Sequence, residues 1–374
     1  MTHGSTIALS KQALADTIDP IDVKPETHSM TINVVDPTKI AGWDEMVRSY
    51  PGSSFFHSSA WAHLLKEAYG YKPQYFSMQD RGSLGAVIPM MEIDSLLTGK
   101  RGVSLPFSDY CEPIVPDPET CRALFERIRA HGAEKKWKYI EMRGGEGYSD
   151  SAIPSSCFLK HVLELSGDED RLLASFRKGT KSAIKKAISD GQLQMVLSES
   201  EDALREFYRL NSITRKRHGL PSQPWYYFKK LYDLLISRGH GFIVQASVEN
   251  KVIASGVFLH FGHDAVYKYG ASDVEYQQLR PNNLVVWEAI KWYCRRGYKT
   301  FDFGRTEPEN EGLRIFKSGW NTKETKVNYF RYDLGRSAFI QNGTGINPLY
   351  TKLMHKLPVP VLELMGRVLY RHVG

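Results

Sequence analysis

Cysteine is scarce, and the four present, Cys111, Cys121, Cys157 and Cys294, share no metal-ligand spacing. They read as reduced, mostly buried thiols of a cytoplasmic protein. The twelve histidines are dispersed, with no helical HxxxH and no Cys/His cluster, so no metal site is expected. There is no GxSxG elbow, which counts against a serine hydrolase. No apolar run reaches the ~20 residues of a spanning helix, and residues 1–30 hold no run of signal-peptide length. The expectation is a cytosolic protein, at most peripheral at the inner face of the cell membrane. What the chain does have is core-forming material: 42% hydrophobic and 12% aromatic residues over 374 positions, enough for two domains of about 150 residues each. A net charge of +7 points to an anionic partner: phosphate, an acidic lipid surface or tRNA.

Residues 1–29 lack periodicity and read as a flexible leader. The first half, 30–165, reads as a strand at 31–35, then a helix capped by Asp36 through Tyr50 and a helix from Ala60 to Tyr69. Strands follow at 74–78, 86–93 and 102–105, then a helix from Pro118 to Lys136 and strands at 139–143 and 158–165. The second half, 166–335, opens with one long basic helix, Asp168 to Asp190, with Arg177, Lys178, Lys181, Lys185 and Lys186 beside an apolar stripe. A strand at 194–197, helices at 199–218 and 225–238, and strands at 241–248, 252–260 and 265–270 follow. A helix at 284–296 and strands at 300–303 and 327–332 complete it. The helix-then-strand run Lys135–Gly144 matches Arg295–Gly304, each after about three strands. That repetition argues for a tandem duplication of an α/β (α+β) unit, each copy a mixed twisted sheet flanked by helices.

The copies differ at one place. Thr300–Phe303 alternates polar and apolar, Gly304 frees the backbone, and Arg305 to Glu311 is crowded with charge. Leu313, Phe316 and Trp320 then fall at helical spacing, with Lys317 among them. Charge gathered at the exit of a buried strand is the usual address of a site in an α/β layer. A polar loop with a solvated charge cluster is the equal alternative.

The run Asp302–Thr306 (DFGRT) followed by Asn310–Lys317 (NEGLRIFK) resembles the FemA/FemB/FemX-type acyltransferases and their envelope-polysaccharide-associated relatives. So do Ser104–Tyr110 (SLPFSDY), the basic helix Phe176–Lys186 and Thr214–Pro221 (TRKRHGLP), in order over residues 30–333. The resemblance implies two tandem GNAT-like domains and amide-forming acyl transfer to an amine of a cell-envelope, peptidoglycan or polysaccharide precursor. No cofactor is implied; the acyl donor, aminoacyl-tRNA or acyl-CoA, is a co-substrate. The anionic partner becomes a sugar-diphosphate or lipid-linked precursor, with tRNA as a second partner. Lys317 matches the lysine of the family's Phe-Lys motif, where a fixed cation stabilises the oxyanion of the attacked carbonyl. Asp302 and Arg305 join it as catalytic candidates, Asp302 as a proton acceptor or as a strand-end carboxylate paired with Arg305 or Arg314. Arg217, Tyr226, Asp109 and Tyr269 are the acceptor-binding candidates, with Asp109 alternatively a turn residue bonding its own backbone.

A CoA-binding GNAT site holds pyrophosphate on a Gly-rich turn before a helix. Here that turn, Gln277–Asn283, has no glycine, which leaves Arg280 and the amides of Asn282, Asn283 and Leu284 as phosphate donors. A CoA-dependent N-acetyltransferase acting on a sugar amine of exopolysaccharide biosynthesis therefore stays open, as does a non-catalytic precursor-binding scaffold. Residues 336–374 form a tail whose basic amphipathic stretch, 348–373, either lies on an anionic membrane or docks on the protein body.

Overall fold

The computed structural model describes residues 31–80, 83–341 and 354–374. The expected leader, and residues 348–353 of the amphipathic stretch, lie outside them. Among the described residues no helix is long and apolar enough to cross a membrane.

A small antiparallel sheet joins β1 (Ile32–Val35), β3 (Tyr75–Asp80) and β4 (Ser83–Ile88). Between β1 and β3 come α1 (Trp43–Arg48), α2 (Ser59–Tyr69) and β2 (Lys72–Pro73). The expected single helix from Asp36 to Tyr50 is a 3-10 turn, Pro37–Lys39, followed by the short α1. Gly42, in the left-handed region at φ 74°, interrupts the run. The expected strand at 86–93 is likewise two, β4 and β5 (Met91–Ser95). Then come β6 (Gly99–Val103), α3 (Pro118–Glu134), β7 (Tyr139–Arg143) and β8 (Ser156–Glu164). Asp117 caps α3 by accepting from Thr120 N at 2.7 Å, with Pro118 pre-set in its first turn.

The expected long basic helix is broken into α4 (Glu169–Ser175) and α5 (Lys178–Ser189). Phe176 leaves the helical path and is buried edge-on against Trp287 and Trp320. Arg177 N bonds Gly319 O at 2.9 Å instead. Burying a phenylalanine yields about 1.5–3 kcal/mol, more than a turn of helix propensity in the same place. β9 (Gln194–Ser198), α6 (Glu201–Arg217), α7 (Trp225–Leu234), β10 (Gly241–Val248), β11 (Lys251–Phe261), β12 (Asp264–Ser272) and α8 (Pro281–Arg295) follow. β13 (Thr300–Thr306), α9 (Glu311–Ser318), β14 (Lys323–Asp333), β15 (Ala338–Phe339) and α10 (Val359–Val373) end the chain.

The main sheet has twelve strands, in the order β2-β5-β6-β7-β14-β8-β13-β12-β11-β10-β9, with β15 on β14. Its only parallel neighbours among the described strands are β6/β7 and β12/β13, each joined through a helix, α3 and α8. These are the two stretches that match in sequence. At the centre the last strand of each half is exchanged: β8 pairs with β13, and β14 lies between β7 and β8. One apolar cluster also crosses the halves, with Trp61, Phe55 and Leu65 packed with Phe207, Tyr227 and Leu231. The fold is α/β: one mixed main sheet shared by both halves and a small antiparallel one, with flanking helices.

Candidate active site

β12 and β13 pair only over three residues, Asp264–Val266 against Thr300–Asp302. Beyond them β12 stays with β11 to Ser272, while β13 follows β8. The gap between them opens as a cleft of about 910 Å³, lined by Tyr267, Lys268, Tyr269 and Gly270 of β12 and Arg305 of β13. The loop Phe107–Asp109, the end of α6 (Arg215, Arg217, His218), α9 (Leu313, Phe316, Lys317) and the end of α10 (Tyr370, Val373) close its sides.

Asn310 starts α9 by accepting from Leu313 N at 3.1 Å. The residue that helix buries is its lysine, Lys317. An ammonium has three N–H donors. Two go to main-chain carbonyls of β13, Gly304 O at 3.0 Å and Arg305 O at 2.9 Å. The third has no partner among the described residues, and Lys317 lines the cleft. Burial lowers its pKa to about 8, while Asp109, Asp302 and Glu307 pull it upward. Gly304 makes this arrangement possible. It sits at φ +69°, and a Cβ there would lie 3.2 Å from Asp109 Cγ.

Asp109 accepts from Lys268 Nζ at 2.9 Å, and that ammonium also bonds Phe107 O at 2.7 Å. Burial alone would raise the Asp109 pKa, but Lys268, Arg305 and Lys317 hold it below the ordinary value. Lys268 is shifted down by burial, against the pull of Asp109. Tyr329 ties the corner together, donating to Asp109 O and accepting from Arg305 Nη1, both at 2.7 Å. The result is a rigid wall of cations around one carboxylate, open on the cleft side. Chemically it suits a reaction that builds negative charge on oxygen.

A family model described as an acetyltransferase (GNAT) domain matches residues 174–317. The lipid II:glycine glycyltransferase of Staphylococcus epidermidis is 22% identical over 392 residues, covering 79% of this chain and 92% of that protein. Its Staphylococcus haemolyticus counterpart is 23% identical, covering 71% and 78%. Among solved structures, FemX superposes with a TM-score of 0.63 at 17% identity, over 84% of this chain and 98% of that one. A tandem GNAT protein from the clavulanic acid biosynthesis pathway gives 0.54 at 9% identity, over 82% and 99%. The chain is an acyltransferase with a GNAT domain, similar in sequence to these glycyltransferases and in fold to FemX.

In this acyltransferase the cleft gathers Lys317, Arg305, Asp109, Tyr269, Arg217 and Asn282. Four other expected residues stand elsewhere. Asp302 is buried and absent from the cleft wall. It accepts from Tyr110 Oη at 2.6 Å and Gly304 N at 2.7 Å, with Lys160 at 3.8 Å. It pairs with neither Arg305 nor Arg314; the latter holds Glu324 through two bonds of 2.7 Å. Its carboxylate positions the Gly304 turn, and burial raises its pKa. Tyr226 is 52% exposed on the far side of α7, in a separate pocket. Tyr227 is the one turned inward, sharing a 2.8 Å hydrogen bond with Tyr269.

Arg280 and Asn283 also lie outside the cleft wall. Arg280 adopts the left-handed region at φ 56° and swings its carbonyl into the first turn of α8, where Asn283 N (3.1 Å) and Leu284 N (3.4 Å) donate to it. Of the three amides expected to meet phosphate, two are therefore engaged within the helix. Asn282 spends its side-chain amide on Ser272 Oγ at 3.0 Å. Lys268 was missed in the sequence. Its signal was a lysine between two tyrosines inside a strand otherwise apolar or small, a costly position unless the charge is paired. Tyr370 and Val373, brought from the far end of the chain, carried no local signal.

Proposed function

We propose that this acyltransferase moves an aminoacyl group from the ester of an aminoacyl-tRNA to an amine of a diphosphate-bearing, lipid-linked cell-wall precursor. The observation that carries the reading is the third, unpartnered N–H of Lys317 at the open splay of β12 and β13. The amine nitrogen attacks the ester carbon, and the carbonyl oxygen takes up negative charge beside that ammonium. The C–O bond to the ribose then breaks, the ribose oxygen gains a proton, the nitrogen loses one, and an amide remains. With its pKa near 8, Lys317 is mostly charged at neutral pH, the form that an oxyanion needs. Arg217 and Arg215 stand at the cleft rim, where guanidinium forks suit the acceptor's diphosphate. The naming of the staphylococcal relatives supports such an acceptor.

The engaged amides at the start of α8 favour tRNA over CoA as donor, because a pyrophosphate finds little of the usual helix-terminus cradle there. The test offers the purified chain radiolabelled glycyl-tRNA and acetyl-CoA in parallel, with a peptide-bearing lipid-linked precursor. Label passing from tRNA into the precursor is the expected result. Transfer from acetyl-CoA alone would make it a CoA-dependent N-acyltransferase. Precursor binding with no transfer from any donor would make it a scaffold.

A further inference from the structure

We infer that the chain docks on an anionic bilayer through one continuous surface, the β5–β6 turn together with the outward face of α10. The turn Ser95–Gly99 carries two leucines at its tip, Leu96 at 102% exposure and Leu97 at 66%. Two adjacent, fully offered leucines are an unusual surface for a soluble domain, whose apolar exposure is normally scattered. The second part is α10. Its inner side is anchored: Leu362 is buried, Gly366 lies so close to Ser222 O that a Cβ would meet it at 1.9 Å, and Tyr370 Oη bonds Pro221 O at 3.1 Å. The outer side is not covered. Val361, Leu364 and Val368, spaced three and four apart, form a stripe at 40%, 61% and 53% exposure. The docked and the membrane-facing readings of this tail therefore apply to opposite faces of one helix.

His372 makes the two parts one surface. It follows Val368 by four residues on the same side of the helix. Ser95 Oγ lies 2.9 Å from its ring, and Thr98 Oγ1 donates to its carbonyl at 3.1 Å. Arg101 clamps the same carbonyl at 2.7 Å. The turn is thus fixed at the end of the stripe.

Charge decides the occupant. Arg367 and Arg371 flank the stripe, and neither forms an ion pair among the described residues. The acid of the helix, Glu363, faces inward to Ser212 Oγ at 2.8 Å. The two arginines also line a hollow of about 560 Å³ with Trp225, Tyr226 and Lys229. Arginine beside Trp and Tyr, next to an apolar strip, is the chemistry of the headgroup layer of an acidic membrane. The turn itself carries no acid. Because α10 also places Tyr370 and Val373 in the cleft wall, docking there would bring the cleft to a lipid-linked acceptor. That purpose rests on the proposed function; the surface does not.

The test is flotation of the full chain with phosphatidylcholine vesicles, with and without phosphatidylglycerol. Binding is expected on the acidic vesicles and should fall as salt rises. Leu96→Glu with Leu97→Glu, and separately Leu364→Glu with Val368→Glu, should each lower partitioning by roughly tenfold or more. Arg367→Ala with Arg371→Ala should cost roughly tenfold on acidic vesicles alone. All three variants should keep their melting temperature and their activity on a water-soluble diphosphate acceptor without the lipid. Wild-type protein that ignores both vesicle types, or variants that bind as well as wild type, would overturn the docking surface. Concentration-dependent dimers abolished by the leucine variants would give this face to a second copy of the chain. Inactivity of the wild type on both acceptors would sink the proposed function and leave the vesicle result standing.

Discussion

The chain builds the same crossover twice, β6–α3–β7 and β12–α8–β13, and the large cleft opens where the strands of the second diverge. In the first, pairing of Gly102 and Val103 with Ile140 and Glu141 is continued by the following loop. Ser104 N reaches Glu141 O at 2.8 Å, Ser104 Oγ takes Arg143 N at 2.6 Å, and Cys111 N bonds Arg143 O. The strand exit is zipped shut. In the second, β12 leaves after three residues, and the exit stays open to be lined by charge. The loop that closes the first exit then supplies Asp109 to the second. A shared crossover gives a place for a site, and the unpaired strand ends make one.

The largest expected effect comes from breaking that contribution across the halves. Asp109→Asn leaves the buried Lys268 ammonium without its counter-charge. Removing one partner of a buried pair costs about 3–5 kcal/mol, read as a fall in denaturation midpoint with an unchanged slope. A variant as stable as wild type would mean that the pair adds nothing to the join already made by the exchanged strands and the shared core.

Lys317→Met comes next. It should lower kcat by roughly 10²–10³-fold with acceptor affinity little changed, since the charge that Lys317 meets develops in the transition state. The wild-type rate should fall as pH rises through about 8, where Lys317 loses its proton, and the variant should lack that limb. Stability should hardly move. The folded pKa is below the unfolded 10.5, so the buried charge costs stability below about pH 8 and the cost fades towards 10.5. The methionine removes this cost and leaves two carbonyls each short of a donor, and these effects oppose. Lost stability with turnover per folded molecule preserved would make Lys317 structural.

The two glycines at the strand exits sharpen the comparison further. Gly144 sits at φ +112° with Glu112 Cγ 2.9 Å from a would-be Cβ, and Gly304 at φ +69° facing Asp109. Alanine at either should cost about 1–3 kcal/mol of stability. Only Gly304→Ala should also lower kcat, because Gly304 O orients Lys317. Equal kinetic losses in both variants would show that the first exit is not the closed one.

The elements were largely legible, because alternation and capping are local. The helix expected from Pro118 is α3, and the strand expected at Thr300–Phe303 is β13. The exchange of β8 and β14 was not, since it pairs residues far apart in sequence. β13 also explains the misplacement of Asp302. Both faces of a central strand are buried, so alternation says that Asp302 and Phe303 point apart but not which side meets the cleft. Phe176 fitted the apolar stripe of an unbroken helix equally well, and only the tryptophans it meets, Trp287 and Trp320, reveal the break. The Phe316–Lys317 pair was found through resemblance; its burial and its two carbonyl partners needed the fold.

The smallest effects separate two residues that look alike in the sequence. Arg217 and Tyr226 were both candidates for the acceptor's diphosphate, yet Arg217 lines the main cleft and Tyr226 the separate hollow. Two adjacent tyrosines on a helix point about 100° apart, and α7 buries Tyr227, Phe228 and Leu231, which turns Tyr226 outward. Arg217→Ala should raise KM for a water-soluble diphosphate acceptor by roughly tenfold with a lesser change in kcat, the loss of one charged hydrogen-bonding group at an exposed rim. Tyr226→Ala should leave both constants within about twofold, because a surface residue away from the cleft has little to change. Steady-state kinetics on the soluble acceptor decide between them. A larger KM effect from Tyr226 than from Arg217 would move the diphosphate into the hollow beside α10 and leave the main cleft to the donor alone.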